Sequence, residues 1–199
     1  MQPTMPYIIG LTGGIGSGKS VVSRLLRLMG VSIYDCDSEA KRLMCQSIEI
    51  REALVEAVGS AVYRVDGQLD RAYLASYMFG HAERVEQVNR IVHPVVRADF
   101  RQWADHSGCS IVAVESAILH EAHMEADVDS VWLVYAPEEI RVQRVITRDA
   151  SNVEAVRKRI QNQLSETEHL RRADEIIYND DRHSLILQVA TLLAACGRG

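Results

Sequence analysis

At 199 residues, 47% hydrophobic and 25% charged, the chain has the length and make-up of one soluble globular domain with a substantial core. Its formal net charge of −5 argues against general nucleic-acid binding, which needs a basic face. No stretch approaches the roughly 18 apolar residues of a membrane span, and "MQPTMPYII" lacks the basic and long apolar regions of a signal peptide. Cys36, Cys45, Cys109 and Cys196 show no C-x-x-C spacing, which fits reduced thiols and a cytoplasmic location better than disulfides or zinc.

Tyr7 to Thr12 is a short apolar run bounded by glycine, the pattern of a buried parallel strand. "KSVVSRLLRLMG" follows with helical apolar spacing, and Gly30 is placed to terminate it. "VSIYDCD" is a second strand ending in two acids; the strand is expected to end between them, with Asp37 beginning a helix. Residues 38–106 are mostly helical in pattern, with a Gly/Asp-punctuated break at "VGSAVYRVDGQLD". "SIVAVESAIL" and "SVWLVYA" read as the third and fourth strands. Pro137 opens the Arg-rich helix "PEEIRVQRVITRD", and Ser151 is the expected N-cap of "SNVEAVRKRIQNQ", with Glu154 three residues on. "ADEIIYND" is a fifth strand and "HSLILQVATLLAACG" a closing helix. Alternating strands and helices predict a parallel sheet covered on both faces, in one α/β domain spanning 1–199.

Residues 13–20, "GGIGSGKS", match G-x-x-x-x-G-K-[ST] between a strand and a helix. Glycines permit positive φ and close approach of backbone N–H groups to an anion. The following helix adds unsatisfied N–H groups and a positive dipole end. By average composition, such an octet arises by chance in roughly 1% of chains this long, before its context is demanded. Gly14, Ile15, Gly16, Ser17, Gly18, Lys19, Ser20 and Val21 are therefore expected at nucleotide phosphates, with Lys19 on the β- and γ-phosphates and Ser20 on Mg²⁺. This is a P-loop.

A GTPase also needs a guanine-reading [NT]-K-x-D, and Lys19, Lys41 and Lys158 are the only lysines, none with Asp two places on. "DHSG" at Asp105 matches D-x-x-G but precedes a strand instead of following one. A small kinase needs an acid near the loop and a mobile arginine lid. Asp37 fits the first need by orienting a hydroxyl proton, although a turn or helix N-cap would also place an acid there. Arg141, Arg144 and Arg148 share one helical face and suit a lid on polyphosphate, or equally a solvated, ion-paired surface. Glu115, ending the third strand, either helps organise Mg²⁺ or simply meets solvent. His93-Pro94 lies in the helical region, where proline starts or kinks a helix, and His93 has an ordinary structural reading too. His120, Glu121 and His123 lack the H-E-x-x-H spacing and read as surface or acceptor-pocket residues.

Taken together and in order, these stretches resemble the dephospho-coenzyme A kinases. "GLTGGIGSGKS" is similar to their P-loop, "IYDCDSEAKRL" to their D-x-D segment and "VHPVV" to their His-Pro helix start. "VESAILHE" resembles D-V-P-L-L-F-E, "RVQRVITRD" the lid segment, "RKRIQNQ" R-x-x-x-Q, and "ADEIIYND" A-D-x-x-I-x-N. The resemblance implies a P-loop kinase fold with a five-stranded parallel sheet flanked by helices. Its core would span 7–36, 109–136 and 174–199, with a helical acceptor insertion at about 60–106 and a lid at about 138–172. It implies phosphorylation of the ribose 3′-hydroxyl of dephospho-coenzyme A by ATP with Mg²⁺, the last step of coenzyme A synthesis.

By the same resemblance Asp37 is the catalytic carboxylate and Lys19 stabilises the transferred phosphoryl. Arg144 and Arg148 clamp ATP, Asn179 flanks adenine, and Ser20 and Glu115 serve the metal. His93 and Arg97 belong to the acceptor subdomain, which Glu115 also faces. The chain departs from the family at Val21 for Thr, Glu115 for Asp, Ala117 for Pro, His120 for Phe and Asp181 for Gly. Two other readings compete: a P-loop kinase of a nucleoside or nucleotide, and a regulatory ATPase that switches a partner. No nucleic-acid or membrane partner is expected.

Overall fold

The computed structural model describes residues 5–196; residues 1–4 lie outside, as do 197–199, which hold the C-terminal end of the expected core and Gly197 of the closing helix. The described chain forms two compact units, one of residues up to 35 and from 103 onward, the other of Cys36–Gln102.

The first unit is built on five strands: β1 (Tyr7–Thr12), β2 (Ser32–Asp35), β3 (Ile111–Glu115), β4 (Ser130–Tyr135) and β5 (Glu175–Tyr178). They lie in the order β2-β3-β1-β4-β5, and every pairing is parallel. Strands buried on both faces need near-continuous apolar sequence, which "YIIGLT" and "SVWLVY" supply; Ile9, Leu11, Trp132 and Val134 are at most 1% exposed. Helix α1 (Lys19–Leu28) buries Val22 and Leu26 against them, beside Val189 of the C-terminal helix. It ends as a Schellman motif: Gly30, at φ +88°, donates to the Arg27 carbonyl, and Val31 donates to Leu26.

In the second unit, α2 (Cys36–Gln46) starts directly after β2, so Asp37 stands in its first turn, as expected. Next come α3 (Ile48–Val58), a 3₁₀ turn at Ser60–Val62 and α4 (Arg71–Met78). The predicted break also carries a Tyr63–Leu69 bridge. The long helix α5 (Ala82–Asp105) contains Pro94, which corrects the expectation of a helix start at His93-Pro94. Pro94 neither starts nor ends it, although its missing N–H leaves a carbonyl one turn earlier without its helical partner. Val88, Val92, Val96 and Phe100 recur every four residues through that point and are all buried, so one apolar stripe holds the helix across the proline.

Back in the first unit, α6 (Glu138–Asp149) and α7 (Val153–Gln161) pack through Val142, Val145 and Val156, and Ile15 of the glycine loop joins that cluster. Helix α8 (Glu166–Arg172) was not anticipated; at seven residues it is too short for a periodic signal. Helix α9 (Leu185–Cys196) closes the described chain.

The cap of α7 is Asn152 and not Ser151. The Asn152 side-chain oxygen accepts from the Ala155 N–H at 2.8 Å, so the helix starts one residue later than the S-x-x-E spacing proposed. Asn152→Ala should therefore cost about 1 kcal/mol in thermal or denaturant unfolding, while Ser151→Ala should stay within about 0.5 kcal/mol. The reverse order would restore the earlier assignment.

Candidate active site

Parallel strands place their carboxyl ends together, and the loop 13–18 leaves β1 at that edge. The Ser17 N–H bonds the Gly14 carbonyl at 3.0 Å, and the Gly18 carbonyl receives the N–H groups of Val21 and Val22. Gly16 and Gly18 are left-handed, at φ +80° and +94°. A Cβ on Gly16 would lie 2.5 Å from the Arg141 carbonyl oxygen, and one on Gly18 would strike the Asn179 side-chain nitrogen. Both positions thus require glycine for conformation and for space. Lys19, the first residue of α1, donates from Nζ to the Gly13 carbonyl at 2.8 Å. Ser20 and Val21 follow on the exposed start of the helix.

Chain far from the loop holds it in place. Gln163 Oε1 accepts the Ile15 N–H at 2.8 Å. Asn179, just past β5, donates from Nδ2 to the Ser17 carbonyl at 2.7 Å. Arg144 donates to the Asn179 carbonyl at 3.0 Å and to the Asp181 carboxylate at 2.9 Å. Arg141, only 8% exposed, pairs with Glu166 at 3.2 Å, and the Tyr135 hydroxyl donates to the same carboxylate. Tyr135, Arg141, Gln163 and Glu166 line a cavity of about 270 Å³ that reaches Gly14, Ser17 and the end of β4. Sequence reasoning missed Gln163 and Glu166; the R-x-x-x-Q resemblance contained Gln163 without giving it a role.

The three arginines of the expected lid face differ in surroundings. Arg148 is exposed and bonds Asp149 twice, at 2.7 and 3.0 Å, and Arg159 shares that carboxylate. Hydrogen bonds from the two guanidinium groups hold the Asp149 pKa down at about 2. Asp181, where the resemblance expects glycine, keeps a left-handed backbone at φ +63°.

Asp35, Glu115 and Leu11 lie side by side in register at the carboxyl edge of β2, β3 and β1. Glu115 accepts a 2.5 Å hydrogen bond from the buried Ser23 hydroxyl, so one of its oxygens is engaged inside the fold. In the second unit, Asp37 is exposed on α2, and His93 and Arg97 lie one helical turn apart on α5, both half-buried.

The fit of a phosphate can be tested on the loop's surroundings. The side-chain atoms Thr12 Oγ1, Ser17 Oγ and Arg141 Nε are buried without a hydrogen-bond partner. Orphaned buried donors are costly, and hydroxyl and guanidinium donors beside a glycine loop suit phosphate oxygens. Among the described residues no group of three or more His, Cys, Asp or Glu could hold a metal.

His120 is not a surface residue. It is 3% exposed, and its ring centroid lies 6.1 Å from that of His169 on α8, itself 5% exposed. All four ring nitrogens lack partners. Burial pushes both pKa values below the ordinary 6.5, opposed in part by Glu121 and Glu125 and reinforced by Arg172, Lys19 and Arg141. Depressed histidine pKa values mean that the unfolded chain binds more protons below about pH 6.5, so stability falls as pH drops through that value. Melting temperatures between pH 7.5 and 5.5 should fall for the native chain and fall less steeply for His120→Phe combined with His169→Gln. Equal slopes would show that the pair does not titrate with folding.

Comparison with known proteins now bears on the whole chain. A dephospho-CoA kinase family model matches residues 7–184. The dephospho-CoA kinase of Bacteroides fragilis is 44% identical over 96% of this chain and 93% of its own length. A Thermus thermophilus crystal structure superposes with a TM-score of 0.82 at 34% identity, covering 98% of this chain and all of the other. Dephospho-CoA kinase from Campylobacter jejuni, 20% identical, shares the fold at a TM-score of 0.64 over 98% of this chain and all of its own. With a matching family model over most of its length and a relative this similar, the chain belongs to the dephospho-CoA kinase family.

Proposed function

We propose that the loop 13–20 cradles the phosphates of ATP and that Asp37 accepts the proton of the ribose 3′-hydroxyl of dephospho-coenzyme A. The reaction is the ATP-dependent phosphorylation of dephospho-CoA in coenzyme A biosynthesis, the transferase activity of the family. The observation that carries the assignment of the nucleotide site is the Lys19 ammonium on the Gly13 carbonyl, at the head of a loop ringed by unpartnered donors. An ammonium at that position brings positive charge to the mouth of the loop, where phosphoryl oxygens would lie.

Little covalent chemistry falls to a phosphoryl-transfer enzyme; positioning and charge stabilisation do the rest. In this reading the Gly16 to Ser20 backbone orients the phosphates and Lys19 neutralises charge on the group in flight. Mg²⁺ would neutralise phosphate charge, and Ser20 and Glu115 would hold it, Glu115 through the oxygen that Ser23 does not occupy. Arg144, Arg148 and Asn179 engage ATP, while His93 and Arg97 serve the acceptor. The segment at about 60–106 acts as an acceptor-binding insertion and 138–172 as a lid, closing one domain of residues 1–199. Support for Arg144 and Asn179 comes from their shared contacts beside Ser17.

A protein of net charge −5 with free cysteines suits a cytoplasmic enzyme that meets small molecules and not nucleic acid.

Purified protein with MgATP should convert dephospho-CoA to coenzyme A, and adenylate or nucleosides should be far poorer acceptors; the opposite ranking would remove the substrate assignment. Lys19→Ala should lower kcat by about 10²- to 10³-fold, the usual effect of losing one oxyanion-stabilising donor. Near-native turnover in the folded variant would defeat the phosphate-cradle reading.

For the base, Asp35→Asn and Asp37→Asn are compared in single-turnover transfer. Asp37→Asn should lose about 10²- to 10⁴-fold with ATP affinity retained, and Asp35→Asn less. A larger loss in Asp35→Asn would assign the proton to the other carboxylate.

A further inference from the structure

We infer that Asp181 is a positioning residue for nucleotide use, its carboxylate fixing Arg144 on the loop that follows β5. The inference rests on the reading of Arg144 as an ATP-engaging residue and adds what holds that side chain in place. Arginine is long and rotamer-rich, so a functional guanidinium must be restrained before it can act. Arg144 has three acceptors within reach: the Asn179 carbonyl at 3.0 Å, Asn179 Oδ1 at 3.5 Å and Asp181 Oδ1 at 2.9 Å. Only the last carries charge, and it is the shortest.

Asn179 meets Arg144 only through neutral oxygens, while its amide nitrogen donates to the Ser17 carbonyl. A continuous chain of contacts therefore runs from Asp181 through Arg144 and Asn179 to the backbone of the glycine loop. The backbone favours this arrangement as well. Asp181 holds φ at +63°, a conformation uncommon outside glycine but best tolerated by Asn, Asp and His. Its neighbour Asp180 faces elsewhere, accepting from the Arg182 and His183 N–H groups and meeting the His183 ring at 3.0 Å. Of the two adjacent acids, Asp181 alone meets the lid helix.

A carboxylate near a polyphosphate site also repels it, so two effects of opposite sign compete. The Asp181 side chain is 73% exposed, and water and salt screen its longer-range field. The direct contact is only 2.9 Å and sets the guanidinium position. Restraint should outweigh repulsion.

Two substitutions keep the left-handed backbone and isolate the carboxylate. Asp181→Gly removes it, and Asp181→Asn keeps an oxygen acceptor without the charge. With ATP varied at saturating dephospho-CoA, Asp181→Gly should raise KM for ATP by about two- to five-fold, the range of a partly exposed ion pair. Its kcat should change less than its KM, and Asp181→Asn should fall between it and the native chain. In an Arg144→Ala background, Asp181→Gly should add nothing further. An unchanged or lowered KM in Asp181→Gly, or an equal rise without Arg144, would overturn the inference. If Arg144→Ala itself leaves ATP use unaltered, the clamp reading fails and the inference falls with it. A raised KM in Arg144→Ala with none in Asp181→Gly overturns this inference alone.

Discussion

The glycine loop must satisfy its polar backbone without the phosphates it is shaped to hold, and the rest of the first unit is arranged around that constraint. Buried carbonyls and N–H groups without partners cost about 1–3 kcal/mol each. Here the Gly13 carbonyl is met by Lys19, the Ser17 carbonyl by Asn179 and the Ile15 N–H by Gln163. These partners come from the start of α1, which follows the loop directly, and from two distant parts of the chain, the end of β5 and the segment before α8. The loop is preorganised by side chains, and the glycines are what let those side chains come close enough.

Preorganisation of this kind has a direction. Ile15 is anchored twice, by its N–H to Gln163 and by its side chain in the Val142, Val145 and Val156 cluster. Helices α6 and α7 are therefore packed onto the loop instead of standing apart from it. Any shift of α6 carries Arg141 and Arg144 with it, and Arg141 is nearly buried against Glu166 while Arg144 is bound to the β5 end. Movements of α6 and of the glycine loop are thus mechanically coupled through the packing of Ile15 and through the Arg144–Asn179–Ser17 contacts.

Much of this was legible in the chain itself. The five strands, the P-loop, the Schellman glycine at 30 and the start of α2 just after Asp35 follow from local rules that bind neighbouring residues. What escaped depended on contacts between residues far apart in sequence. Proline at 94 argued for a helix start or a kink, and the start is excluded because the buried stripe from Val88 to Phe100 carries the helix past it. Ser151 matched a capping box, yet the next residue supplied the cap. His120 read as a surface or acceptor-pocket residue because a single histidine carries no burial signal; its neighbour His169 lies about fifty residues on, on α8, a helix too short to detect. Gln163 was quoted within a motif, but only the fold shows its oxygen on the Ile15 N–H.

The arginines of α6 show most sharply where sequence periodicity stops being informative. Arg141, Arg144 and Arg148 satisfy one helical spacing, and on periodicity alone they are equivalent. In the fold they are graded. Arg141 is buried with its charge met by Glu166, Arg144 is part-buried on Asn179 and Asp181, and Arg148 is exposed on its own neighbour Asp149. A buried pair loses much if one partner is removed, whereas an exposed pair contributes roughly 0–1 kcal/mol. Arg141 therefore belongs to the framework that shapes the loop, and Arg148 to the solvated surface of the free protein. Arg144 sits between those extremes, restrained yet still reachable by solvent. That combination is what a residue needs if it is to exchange a protein partner for a nucleotide without unfolding its surroundings.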